Sequence, residues 1–130
     1  MKVKKLLSLL LFPLLLTSCA TGHSGSIGYK TVSSAEAAEI MSREKGYIIL
    51  DVRRPDEFAT GHIPGAVNIA NETIGDSEIP ELPEKDQLIL VYCRSGRRSK
   101  EASAKLVRLG YTNIVEFGGI LDWQGEVVRD

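Results

Sequence analysis

The chain has 130 residues, 43% hydrophobic and 25% charged, with 16 Lys and Arg against 17 Asp and Glu. That length suits one globular domain able to bury its own core, and two cysteines, Cys19 and Cys93, exclude a disulfide scaffold. A formal charge of −1 excludes a general nucleic-acid binder, whose affinity rests on a broad basic excess that neutralises phosphates.

Lys2, Lys4 and Lys5 precede the run Leu6 to Leu16, which is apolar except for Ser8 and is interrupted by Pro13. A basic stretch followed by a short apolar one has the layout of a secretory signal, and the run is too short and too broken to span a bilayer. Leu16-Thr17-Ser18-Cys19 resembles the bacterial lipobox. The resemblance implies that residues 1–18 are removed as a lipoprotein signal peptide and that Cys19 carries the lipid. Acyl chains would anchor the exported protein, each buried methylene contributing about 0.8 kcal/mol. Ala20, rather than Asp, after the cysteine implies the periplasmic side of the outer membrane in a Gram-negative cell, and the cell surface otherwise. Residues 19–28 are small and read as a flexible tether, with His23 solvated in it. Without its signal the chain keeps 13 basic and 17 acidic side chains and is mildly acidic.

The domain is expected over residues 29–130. Ser33-Ser34-Ala35-Glu36 offers a capping box for an amphipathic helix, with Ala37, Ile40 and Met41 on one face and Gly46 ending it. Tyr47 to Val52 is an apolar run with one acid, Asp51, near its end, as in a strand buried on both faces. Val67 to Ile69 predicts a short strand, and the acidic stretch from Asn71 to Asp86, with Pro80 and Pro83, predicts a surface loop. Leu88 to Tyr92 is a second buried-strand run. Ser99 to Leu109 sets Ala102, Leu106 and Leu109 in a helical stripe closed by Gly110, and Asn113 to Phe117 predicts a last strand. Strands alternating with helices point to an α/β domain with a mainly parallel sheet, in which ligands bind beyond the carboxyl ends of strands.

The turn after Tyr92 is such an end, and it reads Cys93-Arg94-Ser95-Gly96-Arg97-Arg98-Ser99. Crowded guanidinium groups repel one another, so Arg94, Arg97 and Arg98 would welcome an anion. The turn also opens a helix, whose first N–H groups lack intrahelical partners and can point into a cradle, and Gly96 lets the backbone curl. The same field favours thiolate at Cys93 and makes it a nucleophile.

Asp51-Val52-Arg53, Glu57-Phe58, Gly61-His62-Ile63-Pro64-Gly65-Ala66-Val67-Asn68-Ile69, the Cys93 loop, and Gly118-Gly119 with Trp123 resemble a single-domain rhodanese over about residues 29 to 127. The resemblance implies a three-layer domain, a central parallel sheet flanked by helices, and a sulfurtransferase that carries sulfur as a persulfide on Cys93. A small anionic donor such as thiosulfate would lose its outer sulfur to the Cys93 thiolate and release sulfite, which needs no proton. Cyanide or a thiol would then accept the sulfur. Arg94, Ser95, Gly96, Arg97, Arg98 and Ser99 would bind the donor, and Asp51, with Arg53, would brace the site.

A phosphatase of the cell-division-cycle type, or an arsenate reductase, shares the fold but wants Arg after five residues beyond the cysteine, a position that here is Ser99; Arg98 comes one position early. A non-catalytic interaction module and a redox sensor are the other rivals, the first disfavoured by the retained cysteine, the second because Cys19, if acylated, leaves Cys93 no resolving partner. His62 reads as a satisfied turn residue, Glu57 and Phe58 as holding a short helix after Pro55 against the sheet, and Trp123 as core. Asn71-Glu72-Thr73 fits a glycosylation pattern of little weight in a bacterial lipoprotein. No metal-ligand spacing or phosphate loop is present, so no metal, cofactor or nucleic-acid partner is expected, and the domain is expected as a monomer.

Overall fold

The computed structural model describes residues 28–130. The signal, lipobox and tether expected before Gly28 therefore lie outside the described residues. Five strands form one sheet: β1 (Lys30–Thr31), β2 (Ile48–Asp51), β3 (Val67–Asn68), β4 (Ile89–Cys93) and β5 (Ile114–Gly119), in the order β1-β5-β4-β2-β3 with every pair parallel. Three helices accompany it: α1 (Ser34–Arg43), α2 (Pro55–Ala59) and α3 (Arg97–Arg108).

The apolar runs became the central strands because both their faces are covered. In β4, Ile89, Val91 and Cys93 join α3 residues Ala102 and Leu106, while Leu90 and Tyr92 join Ala37 of α1. The two α/β layers thus meet on alternate residues of one strand, as a period of two requires. Ser33 caps α1 by accepting from the Glu36 N–H at 3.1 Å.

Two expectations need correction. The α3 helix begins at Arg97, within the cysteine loop, rather than at Ser99. The stretch 71–86 is not merely a surface loop: Ile74, Ile79 and Leu82 are buried in the core on the α3 face, and Tyr111 donates from its hydroxyl to Leu82 O at 2.6 Å. Irregular backbone there does the covering work of a helix, and its apolar residues lack helical spacing because no helix presents them.

Since all five strands run the same way, their carboxyl ends lie together. The turn after β4 is flanked by the ends of β2 and β5, and β2 leads directly into α2. That arrangement brings residues separated by tens of positions around Cys93.

Candidate active site

Cys93 is the last residue of β4 and lies at the floor of a cleft of about 330 Å³ lined also by Arg54, Glu72, Arg94, Ser95, Arg97 and Arg98. The chain turns sharply at Gly96, whose φ of +119° is unfavourable for any residue bearing a Cβ. The turn aims the Gly96 N–H at Cys93 Sγ, 3.0 Å away. A backbone donor so placed stabilises negative charge on the sulfur. The end of β5 seals the loop from beside it, since a Cβ on Gly119 would lie 2.0 Å from Arg94 O.

Ser99 differs from its expected role. It is fully buried and lies on the protein side of the thiol, so it has no surface to offer a substrate. The Cys93 thiol reaches its Oγ at 3.5 Å, and Ser99 in turn donates to Glu116 Oε1 at 2.6 Å, with Gly96 O at 2.9 Å and Gly118 O at 3.2 Å as further acceptors nearby. Glu116 Oε1 also accepts the Gly118 N–H at 2.7 Å, whereas its Oε2 has no hydrogen-bond partner among the described residues. A buried acid on β5 thereby ties the cysteine loop to the Gly118-Gly119 turn. Glu116 was missed in the sequence, although a lone acid alternating within the apolar segment Ile114 to Phe117 was its signal.

The three loop arginines are not equivalent. Arg98 is turned to α2, where it donates to Glu57 through both terminal nitrogens at 2.7 and 2.9 Å. This bidentate contact with Arg98 holds the Glu57 carboxyl at about 2, far below the ordinary carboxylate range, and raises Arg98. Arg97 is exposed and paired with Glu101 at 2.8 Å, one helical turn on. Arg94 is exposed and has no carboxylate partner among the described residues. Arg98 thus arrives at the cleft with a carboxylate already bound, and Glu57, read from sequence as a helix-packing residue, is the partner of a cleft-lining arginine.

Asp51 and Arg53 lie on the other side of the sheet from the thiol. Asp51 pairs in register with Tyr92, whose ring packs in the α1-side core, whereas Cys93 faces α3. Arg53 Nη2 donates to Asp51 Oδ2 at 2.6 Å and to Gly61 O at 2.7 Å, both side chains being buried. The Tyr92 hydroxyl accepts the Ile63 N–H at 3.1 Å, and burial, then Asp51, raises the phenol's pKa. The cluster braces the segment 61–63 and the β-residue next to the thiol without touching Cys93. His62 is buried and stacked on Phe58 with ring centroids 3.7 Å apart; its Nδ1 meets Phe58 O at 3.0 Å and its Nε2 meets Asp130 at 2.5 Å. Trp123 packs on the α1-side core and donates to Glu126 O at 3.1 Å.

A cysteine at the end of a central parallel strand, cradled by the loop that opens the next helix, places a thiol at the floor of an arginine-lined cleft in an α/β domain. The chain belongs to the rhodanese-like domain family, whose model matches residues 33–126. It is similar to the thiosulfate sulfurtransferase PspE of Escherichia coli K12, 34% identical over 73 residues covering 56% of this chain and 70% of that one. A sulfurtransferase of Allochromatium vinosum is 33% identical over 93 residues, covering 71% of this chain and 85% of the relative. Among solved structures, a rhodanese with anions from E. coli aligns with a TM-score of 0.59 at 31% identity, covering 65% of this chain and 99% of that one. A rhodanese-like domain protein of Staphylococcus aureus aligns with a TM-score of 0.67 at 28% identity over 78% of this chain and 98% of that one. The architecture of the family, a central parallel sheet flanked by helices, is the one described above.

Proposed function

We propose that the protein is a sulfurtransferase that carries sulfane sulfur as a persulfide on Cys93. The observation that carries this reading is the Gly96 N–H directed at Cys93 Sγ at the floor of the arginine-lined cleft. In the first half-reaction the thiolate attacks the sulfane sulfur of a donor, a new S–S bond forms, the donor's S–S bond breaks, and its electron pair leaves on the sulfite-like product. In the second, a thiol or cyanide takes the outer sulfur and restores the thiolate. Arg94, Arg97 and the loop N–H groups hold the anion, and Arg98 does so while bonded to Glu57. The family resemblance and the sulfurtransferase names of similar proteins support the same chemistry.

The test is to expose reduced protein to a sulfane-sulfur donor and weigh it intact. A gain of one sulfur atom, lost on addition of cyanide and absent in Cys93→Ser, is expected; an unchanged mass with every donor sinks the reading. We further propose, on the lipobox at residues 16–19, that the protein is exported and held at a membrane by lipid on Cys19. Metabolic labelling with a fatty acid that is lost in Cys19→Ala checks that proposal independently of catalysis.

A further inference from the structure

The side chains around the thiol bear on which donor it takes, and the inference rests on the sulfur-transfer reading above. Four guanidinium groups line the cleft, those of Arg54, Arg94, Arg97 and Arg98. Three of them are already bonded to carboxylates: Arg54 to Asp56 at 3.1 and 3.3 Å, Arg97 to Glu101 at 2.8 Å, and Arg98 to Glu57 at 2.7 and 2.9 Å. Another carboxylate, that of the exposed Glu72, lines the cleft itself and acts electrostatically on Arg98. Three of the four positive charges of the ring therefore have a negative one bonded to them, and much of the expected basic field is cancelled within the protein. Arg94 is the one guanidinium of the four without a carboxylate partner among the described residues.

A doubly charged donor entering this ring would find one unengaged guanidinium and the Gly96 N–H, and it would also meet the Glu72 carboxylate. A donor with one charge satisfies Arg94 and leaves no second charge to be repelled. We propose that the donor is a singly charged sulfane-sulfur compound, a thiosulfonate R–SO₂–S⁻ or a persulfide R–S–S⁻, rather than dianionic thiosulfate. With a thiosulfonate, Cys93 Sγ bonds to the sulfane sulfur, the donor's S–S bond breaks, and the electron pair departs on the sulfinate R–SO₂⁻ without a proton. With a persulfide the pair departs on R–S⁻, which water protonates. Cys93 ends as the persulfide in either case, and no oxidant or reductant is consumed.

Thiosulfate and methanethiosulfonate form a matched pair, differing by a charged oxygen against a methyl group. The rate of one-sulfur gain on reduced, full-length protein is measured by intact mass with each, and with 2-hydroxyethyl persulfide, whose single charge is on its outer sulfur. Methanethiosulfonate is expected to load Cys93 about ten-fold faster per unit concentration than thiosulfate. The thiosulfate-to-methanethiosulfonate ratio is expected to rise about five-fold in Glu72→Gln, an exposed side chain whose loss does not threaten folding, and further in Glu57→Gln, which also releases Arg98. Faster loading from 2-hydroxyethyl persulfide than from methanethiosulfonate assigns the charge class to thiol-borne sulfur, and the reverse assigns it to sulfonyl-borne sulfur. Thiosulfate proving the faster donor in the wild type, or a ratio unmoved by Glu72→Gln, overturns the proposal. Failure of all three donors to add sulfur overturns the sulfur-transfer reading instead.

Discussion

Ser99 stands between Cys93 and Glu116, with its hydroxyl 3.5 Å from the thiol sulfur and 2.6 Å from the carboxylate. A hydroxyl has one proton to donate. Glu116 Oε1 is the nearer acceptor and receives that hydrogen bond, so the Ser99 oxygen is left to accept from the Cys93 thiol. The serine therefore fixes where the sulfur sits, from behind, and leaves its open side to the cleft.

Truncation of that bridge has a measurable cost. Ser99→Ala leaves Glu116 Oε1 with the Gly118 N–H alone, and losing a buried hydrogen bond costs roughly 0.5–1.5 kcal/mol. Urea titration is expected to show that loss, and Ser99→Thr to restore less than full stability because α3 packs tightly against β5 there. Unaltered stability in Ser99→Ala would show that the bond contributes nothing.

Gly119 approaches the loop too closely for any side chain. A Cβ there would lie 2.0 Å from Arg94 O, a backbone atom that cannot swing aside alone. Gly119→Ala is expected to displace the turn, to cost roughly 1–3 kcal/mol through overpacking, and to slow persulfide loading more than ten-fold on the order expected when a reacting geometry moves by an ångström. Loading kinetics at matched folded fraction provide the check.

Asp51 and Arg53 give the opposite pattern, because their bond is buried on the far face of the sheet from the thiol. Arg53→Met strands a buried carboxylate and is expected to cost about 3–5 kcal/mol. Loading per folded molecule should stay within about two-fold of wild type, since no group that touches the sulfur has moved. A specific loss of loading at full folding would place these residues in the chemistry.

Acid sensitivity follows from Glu57. Its folded carboxyl sits at about 2 beside Arg98, against an ordinary value of 4.5, so the unfolded chain binds the proton more readily. The contact therefore stabilises the fold fully above pH 4.5 and is lost as pH falls from there through about 2. Glu57→Gln should be less stable than wild type at neutral pH, and the difference should shrink in the acid range. Denaturation midpoints across pH measure it; a gap that widens on acidification contradicts this sign.

Much of this could be read in the chain because it is local. Buried strands announce themselves as unbroken apolar runs, and the Cys93 turn gathers its cysteine, glycine and arginines within a few positions. The parts that escaped are long-range or irregular. Glu57 meets Arg98 across 41 positions, and neither residue's neighbours betray the pairing. Ile74, Ile79 and Leu82 reach the core on irregular backbone, so no periodicity marks them. The unequal roles of the three arginines likewise depend on which acids the fold brings near, something that their shared crowding in sequence could not reveal.

The two outermost strands, Lys30–Thr31 and Val67–Asn68, are only two residues long. A neighbouring molecule seeking to extend the sheet would find scarcely two rungs of unpaired backbone on either border, too few to template a growing ribbon. Neither border of the sheet thus offers a long edge to a strand from outside.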